Sequence, residues 1–480
     1  MPRKPDQSPS TIRMPSSASC TNAINWFSVA RRSALVSLIV LLAVGCRPTG
    51  SDGPVQPVTS TTTDATVGLK WMDAFLTIDR YAPGYRPPVA ARALAYINLA
   101  AYESMVPASA TYRSVAPNFA GLTLPTVDTK PGFQSAAAVN AAYYGMMRAM
   151  FPHVDATYQK LIDDTYRAAD STYAGADAGT IARSKTFGTA VAAAVFAYSK
   201  TDAAGHEAYG RNQPTDYVPP TGPGKWQPTF PDYSRALLPY WGKVRTFVAG
   251  EADKLAIPPL AYSTSATSPM YAQALEVYTT TTPLSHDNQW VGEFWSDDIF
   301  GLTMEPAGRW IATAQQVIRH DKVSLETALY TYAKISIALS DVGVACWNSK
   351  YVYNVERPIS YIHKTISPTW VSMLNNPLKA VRGVTPSFPS YPSGHSCFGG
   401  AAAVVLTDIY GANYAMMDRC HEGRTEFLGK PRSFNSFDEM AIENAYSRID
   451  LGVHYRMDCE EGLRMGYAIG RKVNALNWKK

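Results

Sequence analysis

Three short segments in the last third of the chain carry side chains that could hold a tetrahedral oxyanion and bond to it. They are residues 350–358, 392–395 and 447–454. Together they supply three cations, a Ser-Gly turn and two imidazoles: Lys350, Arg357, Ser393, Gly394, His395, Arg448 and His454. Guanidinium groups match phosphate-like oxygens in pairs. One histidine can serve as ligand or nucleophile while the other carries protons. We therefore predict an oxyanion site that performs covalent chemistry.

The first segment predicts the helix that must hold its two cations. Lys350 and Arg357 lie seven residues apart, so both project from one face if residues 347–356 are helical. Pro358 is then expected to end that helix. Alone, such a Lys/Arg pair is typical of a solvated helix face, so the prediction depends on the other two segments.

The second and third segments predict a helix start and a helix break. The run from His395 reads as a helix that begins above Ser393 and Gly394, and a helix N-terminus attracts anions. Arg448 and His454 are six residues apart and would diverge on a continuous helix. Because both must reach one anion, we predict a break near Gly452.

The three segments resemble the pattern shared by the vanadium-dependent haloperoxidases and the phosphatidic acid phosphatase type 2 superfamily. Residues 91–104, 240–245 and 293–298 are similar to bacterial members of the haloperoxidase branch. The resemblance extends from Val67 to Leu476. It implies a mainly α fold of helical bundles, with the site at the centre of the C-terminal bundle.

This resemblance also implies roles for the site residues. Vanadate would be the cofactor, with His454 bonded to vanadium and His395 hydrogen-bonded to the opposite oxygen. The remaining oxygens would be bound by Lys350, Arg357, Ser393, the Gly394 amide and Arg448. Hydrogen peroxide, a halide and an organic acceptor would be the reaction partners, and hypohalous acid the product.

Two other functions use the same residues. With phosphate in place of vanadate, His454 would form a phosphohistidine and His395 would protonate the leaving alcohol, which is the reaction of an acid phosphatase. A lipoprotein that only binds an anion is the third possibility. Two histidines argue against it, because binding alone does not require both.

Residues beside the three segments bear on the halide. Trp347 and Phe388 resemble the chloroperoxidase form of the pocket, whereas bromoperoxidases tend to carry a histidine at the position of Phe388. An apolar wall strips water from a small hydrated halide, so we predict turnover of chloride and bromide; ordinary core packing is the alternative. Asp298 resembles a carboxylate of the family that pairs with a site arginine. Its neighbour Asp297 could have this role instead, and the alternative is that both belong to an exposed acidic loop.

Composition excludes some classes of partner. The 480 residues are 46% hydrophobic and 17% charged, which is typical of a folded globular protein. The formal net charge is +5, but residues 1–46 contain five basic residues and one acidic residue, so the rest is nearly neutral. There is no basic field for a nucleic acid.

The N-terminus predicts export. Arg31 and Arg32 precede the apolar run 33–44, and Gly45-Cys46 follows, which resembles a bacterial lipoprotein signal. Cys46 would then carry the lipid, which would be the protein's contact with the membrane, on the periplasmic or outer side. An ordinary secretory signal or a simple anchor is the alternative.

The chain divides into a leader, a linker and a body. Residues 1–46 form the leader, residues 47–68 are rich in Thr, Ser, Pro and Gly and predict a flexible linker, and residues 69–480 form the body, with the active site mostly in 340–460. Helical periodicity dominates the body and alternating strand patterns are scarce. We predict helices over 69–78, 89–105, 134–150, 156–169, 178–199, 317–347, 396–410 and 438–447.

Two further features of the body are a long irregular segment and four cysteines. Residues 201–269 are dense in Pro, Gly, Tyr and Trp, and such segments often line a site. Cys346 and Cys397 read as small core residues. Export permits a disulfide between Cys420 and Cys459, and the sequence leaves that pairing open.

Overall fold

The computed structural model describes residues 64–297 and 299–480. The predicted leader, the lipid signal at Cys46, most of the linker and Asp298 lie outside these residues. Within them the fold is mainly α, as predicted, with thirteen α-helices and one two-stranded antiparallel sheet. The helices are α1 Thr66–Asp79, α2 Pro87–Met105, α3 Ser135–Met150, α4 Ala156–Asp170, α5 Ala178–Lys200, α6 Pro269–Thr281, α7 His286–Phe294, α8 Pro306–Asp321, α9 Leu325–Tyr353, α10 Pro358–Thr365, α11 Gly394–Tyr410, α12 Phe437–Asp450 and α13 Arg456–Asn474. The strands are β1 Met416–Asp418 and β2 Arg432–Phe434.

Helices α1 to α5 form an N-terminal bundle around α2. Every residue of α2 is buried, and its alanines allow close packing against α3, α5 and α9. Proline at its first two positions favours the helix start, because proline needs no intrahelical partner there. Asp155 and Asp177 cap α4 and α5 by accepting backbone N–H bonds. Helix α1 begins at Thr66, three residues before the predicted body boundary.

The five predicted N-terminal helices are confirmed to within a few residues, but the single helix predicted over 317–347 is wrong. Helix α8 ends at Asp321, and Lys322 adopts a left-handed conformation with φ of 50°. Ser324 then caps α9 by accepting from the Thr327 amide. Apolar residues on both sides of this break produced one continuous pattern, because hydrophobic spacing does not reveal a break of only three residues. Helices α6, α7, α10 and α13 were not predicted.

Helices α9, α11, α12 and α13 form the C-terminal bundle, in which α11 packs most extensively against α13. Glycine makes this approach possible. A Cβ atom at Gly462 would lie 2.7 Å from the Ser393 carbonyl oxygen, and one at Gly466 would lie 2.4 Å from the Cys397 carbonyl oxygen. Such distances are inside normal van der Waals contact, so larger residues would separate the helices. The N-terminus of α11 is thereby held next to the start of α13.

The irregular segment between α5 and α6 packs onto α9. Its only helical elements are short 3-10 turns, as the sequence predicts for residues 201–269. The Trp347 ring N–H donates to the Leu237 carbonyl oxygen at 3.3 Å, and Tyr351 donates to the same oxygen at 2.7 Å. Cys420 and Cys459 carry free thiols. Among the described residues, none of the helices combines the length and apolar character needed to cross a membrane.

Candidate active site

Lys350 lies in the last turn of α9 and is completely buried. Its ammonium donates to the carbonyl oxygens of Pro389, Ser390 and Pro392 at 3.0, 2.8 and 2.5 Å. Burial lowers the pKa of Lys350 to about 8, so the group remains mainly protonated at neutral pH. These three bonds tie the end of α9 to the backbone that leads into α11, and they place a positive charge beneath the Ser-Gly turn.

Arg357 does not share a helical face with Lys350, so that prediction is wrong. Helix α9 ends at Tyr353 because Asn354 adopts a left-handed conformation with φ of 56°. Pro358 then opens α10 at a first-turn position, and Arg357 is the residue that caps it. A break and a new helix therefore bring the second cation to the site.

The buried guanidinium of Arg357 joins the turn to the histidine segment. Its Nε donates to the Phe388 carbonyl oxygen at 2.8 Å, and Nη1 donates to the Val453 carbonyl oxygen at 2.8 Å. Nη1 also lies 3.1 Å from Nε2 of His454. The group stands over the Phe388 ring, 4.8 Å from its centroid, which is cation–π geometry.

The predicted helix start at the Ser-Gly turn is confirmed. Ser393 is the N-cap of α11, and its hydroxyl accepts from the Ser396 amide at 3.4 Å. Gly394 is the first helical residue, and His395 follows it with 5% of its surface exposed. The first amides of a buried helix point toward the same space as the two histidines, which provides donors for an anion.

The predicted break between Arg448 and His454 is also confirmed. Helix α12 ends at Asp450, and Gly452 has φ of 72°, a conformation that favours glycine. A Cβ atom at Gly452 would also lie 2.8 Å from the Trp370 ring. The chain therefore turns, and Arg448 and His454 reach one cavity.

His454 is oriented by Asp458, four residues later on α13. Its Nδ1 lies 2.9 Å from Oδ2 of Asp458, and that oxygen also accepts from the Ser390 hydroxyl at 2.5 Å and the Tyr455 amide at 3.1 Å. Because Asp458 accepts, Nδ1 carries the hydrogen and Nε2 keeps its lone pair. A carboxylate behind an imidazole is the usual arrangement at metal-binding histidines.

The charge state of His454 follows from its surroundings. Burial lowers its pKa well below the ordinary value, and the neighbouring Arg357, Lys350, Arg448 and His395 lower it further. The ring is therefore neutral at neutral pH, and its Nε2 lone pair accepts from Nη1 of Arg357, a bond that a ligand at Nε2 would replace. Burial raises the pKa of the Asp458 carboxyl to about 6, against the lowering effect of its bond to Ser390.

These groups surround a small cavity that their side chains nearly fill. His395, His454, Arg448 and Gly394 line its polar side. The apolar side consists of Pro87, Pro306, Trp347, Pro386, Phe388 and Phe398. The cavity is smaller than most ligand pockets, which suits a small inorganic anion.

Comparisons with known proteins agree with this geometry. Residues 330–478 match the family model described as the second helical-bundle domain of VCPO. The vanadium chloroperoxidase of Curvularia inaequalis is 28% identical over 167 residues, which cover 26% of this chain and 27% of that protein. The vanadium-dependent bromoperoxidase of Ascophyllum nodosum is 32% identical over 105 residues, 19% of this chain and 18% of that protein. The matched segments thus span about a quarter or less of these curated relatives.

A solved structure extends the similarity to nearly the whole body. The crystal structure described as the first bacterial vanadium-dependent iodoperoxidase is 29% identical, with a TM-score of 0.76. The match covers 87% of this chain and 98% of that one. Over most of its described residues the chain is therefore similar to vanadium-dependent haloperoxidases. The mainly α fold and the matched helical-bundle domain agree with this similarity.

The donor set fits the vanadate that the similarity to vanadium-dependent haloperoxidases implies. It combines three buried cationic side chains, the N-terminus of α11 and a neutral imidazole whose lone pair is fixed by a carboxylate. Cations and amides are the donors that an oxyanion requires, and a neutral imidazole is a metal ligand. Each residue predicted from the three segments lies at this cavity or in direct contact with a residue that lines it.

The predicted halide pocket also lies at this cavity. Trp347 and Phe388 both line it, and their ring centroids are 5.0 Å apart. Arg357 fixes the position of Phe388, because it donates a hydrogen bond to the Phe388 carbonyl oxygen and stacks over the Phe388 ring. The contribution of the two rings to halide choice stays a prediction.

The carboxylate predicted at Asp298 lies outside the described residues, but its neighbour Asp297 is fully buried. Asp297 contacts Arg309 on α8 at 3.5 Å and His421 at 3.3 Å. The backbone nearby reaches the site, because Nη1 of Arg448 lies 3.4 Å from the Trp295 carbonyl oxygen.

Arg309 is the centre of a buried charged cluster that the sequence analysis missed. Its guanidinium binds Asp418 on β1 at 2.9 Å, Nε2 of His421 at 2.8 Å and the Phe294 carbonyl oxygen at 2.9 Å. It also lies over the rings of Phe294 and Trp295, 4.5 and 4.4 Å from their centroids. These contacts fix the segment that provides the carbonyl oxygen for Arg448. Arg309 is more than a hundred positions from Asp418 and His421, so no local sequence pattern could have predicted their contact. The i,i+4 spacing of His454 and Asp458, in contrast, could have indicated from the sequence that Asp458 contacts the histidine.

Proposed function

We propose that this protein is a vanadium-dependent haloperoxidase that uses hydrogen peroxide to oxidise chloride and bromide to hypohalous acid. The observation that carries the proposal is the neutral His454, with Nδ1 held by Asp458 and Nε2 beside Arg357. A phosphatase nucleophile would use the same nitrogen. The names of the relatives, which all state vanadium-dependent halide oxidation, favour the haloperoxidase.

Each side chain has a role that follows from its position. Nε2 of His454 would hold vanadium, and Arg357, Arg448 and Lys350 would offset the charge of its oxygens. Ser393 and the Gly394 amide would donate hydrogen bonds. Vanadate would supply a Lewis acid that polarises peroxide without a change in oxidation state.

His395 is the residue that would carry protons. Its imidazole lines the cavity, and its 5% exposure limits exchange with bulk water. A ring nitrogen of His395 would take a proton from incoming peroxide and return it to the leaving oxygen. Trp347 and Phe388 would keep water away from the halide.

Paired assays test this proposal. We expect protein reconstituted with orthovanadate to halogenate monochlorodimedone with peroxide and bromide or chloride. We expect little hydrolysis of p-nitrophenyl phosphate without vanadate, and competition by inorganic phosphate for vanadate. Phosphatase turnover far above halogenation would overturn the proposal, and turnover of iodide alone would overturn its halide range.

Variants separate binding from proton transfer. His454→Ala should abolish vanadate binding and halogenation, because it removes the covalent ligand. His395→Ala should lose most turnover yet still bind vanadate, because the cations remain. His320→Ala, at an exposed position on α8, serves as the control. Unchanged vanadate affinity in His454→Ala would refute the assignment of the ligand.

We also propose that the protein is exported and anchored through a lipid at Cys46. Arg31 and Arg32, the apolar run after them and Gly45-Cys46 support this proposal. Cys46→Ser is expected to release the protein from the membrane fraction or leave its precursor uncut. A mature protein whose mass shows an unmodified N-terminus elsewhere would contradict the anchor.

A further inference from the structure

A second and larger cavity adjoins the halide side of the active site. Its volume is about 240 Å³, which is enough for a single aromatic ring. Pro87, Pro386 and Phe388 line both this outer cavity and the inner one. A molecule in the outer cavity would therefore lie against the same side chains that enclose the oxidised halide.

The outer cavity is held open by backbone hydrogen bonds between its walls. The Leu237 amide donates to the Ser387 carbonyl oxygen at 2.9 Å, and the Leu238 amide donates to the Asn212 carbonyl oxygen at 2.6 Å. The Leu237 carbonyl oxygen is in turn bound by Trp347 and Tyr351 of α9. Because three separate segments are tied together and to α9, the cavity is preformed.

The lining indicates what kind of molecule fits. Leu237, Leu374, Val384 and Phe388 provide apolar surface for a ring. Thr385 contributes a buried hydroxyl oxygen that has no hydrogen-bond partner among residues 64–297 and 299–480, and a buried polar atom of this kind favours a polar ligand group. The lining contains two charged residues. Arg86 contacts Glu305 at 3.1 Å, so its charge is offset, and the carboxylate of Asp232 disfavours an anionic ligand.

We propose that the outer cavity binds the organic acceptor, and that this acceptor is a neutral phenol. The proposal rests on the haloperoxidase function proposed above. A phenol offers a flat apolar ring for the wall and one hydroxyl for Thr385, and its electron-rich ring is what an electrophilic halogen attacks. In the transfer, a carbon–halogen bond forms and the halogen–oxygen bond of hypohalous acid breaks. The ring proton joins the departing hydroxide as water, so the acceptor is halogenated beside the place where the reagent is made.

The position of halogenation tests this proposal. We use phenol as acceptor and compare the ortho-to-para ratio of bromophenols with that given by hypobromous acid in the same buffer. An enzyme that holds phenol should give a different ratio. Val384→Phe fills the cavity and should return the ratio to that of the free reagent, while tribromide formation without phenol stays within about twofold of the wild type. Val218→Phe, the same change at an exposed residue outside the cavity, should behave as wild type.

Binding supplies a second measurement that does not depend on turnover. Calorimetry with 4-bromophenol, which is neutral at pH 7, should show binding to the wild type and binding at least about tenfold weaker in Val384→Phe, a difference of ~1.4 kcal/mol. Thr385→Val keeps the shape but removes the hydroxyl, and should weaken binding of the phenol more than binding of its methyl ether, 4-bromoanisole.

Two failures can be told apart. Tribromide formation with the reagent's own isomer ratio, or unchanged binding in both variants, would overturn the outer site alone. A wild type that forms no tribromide would overturn the proposed function and the outer site together.

Discussion

Replacing Asp458 by asparagine tests the central feature of the site, the carboxylate that fixes His454. The asparagine side chain would keep one oxygen to accept from Nδ1 but would lose the negative charge beside Lys350 and Arg357. Its outer atom would become an amide NH₂ where Oδ1 of Asp458 is now buried without a hydrogen-bond partner among the described residues. Nε2 of His454 would bind vanadium more weakly, because a carboxylate partner at Nδ1 raises the basicity of the ligating nitrogen.

The expected effect on vanadate binding is large enough to measure. Loss of such a partner lowers metal affinity by roughly 10- to 100-fold, or about 1.4 to 2.7 kcal/mol. We expect this loss in Asp458→Asn, measured by ultrafiltration of the apoprotein with orthovanadate and determination of vanadium in the filtrate. Circular dichroism and thermal unfolding establish that the variant is folded.

A matched control exists on α9. Asp341 is also fully buried, and it accepts three backbone N–H bonds, from Phe247, Val248 and Ala249, at 2.7 to 2.8 Å. Asp341→Asn should lower the unfolding free energy yet leave vanadate affinity unchanged. If folded Asp458→Asn binds vanadate as tightly as the wild type, the reasoning about the orientation and basicity of His454 is wrong.

Three further predictions concern the buried cluster, pH and the halide. Arg309→Met leaves two buried carboxylates and His421 without their cation, so we expect about 3 to 5 kcal/mol less stability in urea unfolding and weaker vanadate binding. As a control, Arg92→Met breaks a buried pair with Asp202 and should lose stability but keep its vanadate affinity. Equal vanadate affinities in the two variants would contradict the role of the Arg309 cluster. Burial raises the pKa of the carboxyls of Asp79, Glu103 and Asp450 to about 7, and a raised carboxyl pKa stabilises the folded state at low pH and loses that effect as pH rises through 7. The lowered pKa of His153, His421 and His454 acts in the opposite sense near pH 6.5, so the test is the difference between the wild type and Asp450→Asn. Between pH 6.5 and 8 the wild-type apoprotein should lose about 0.8 kcal/mol of stability relative to Asp450→Asn, and equal pH dependence in the two proteins would disprove the assignment. Phe388→His should reduce chloride turnover far more than bromide turnover, because it adds a polar group to the apolar wall; equal losses would show that the wall does not select the halide.

The sequence determined the chemistry of the site and its local geometry. The residue types of the three segments predicted an oxyanion site, and the N-terminus of α11 and the break at Gly452 follow from the Ser-Gly turn and from glycine's freedom at positive φ. These features depend on neighbours in the chain, so they are readable from it. The i,i+4 spacing of His454 and Asp458 belongs to the same class, although it was overlooked.

Tertiary structure decided what depends on residues far apart in the chain. The helix predicted through Lys350 and Arg357 ends at Tyr353, because the fold uses Asn354 and Pro358 to redirect the chain toward His454. Arg309 meets Asp418 and His421 only because the excursion between α11 and α12 folds back onto α8. Burial in that packed interior also lowers the pKa of His454 and raises that of Asp458. Charge state depends on what surrounds a group in three dimensions, and no spacing along the chain records it.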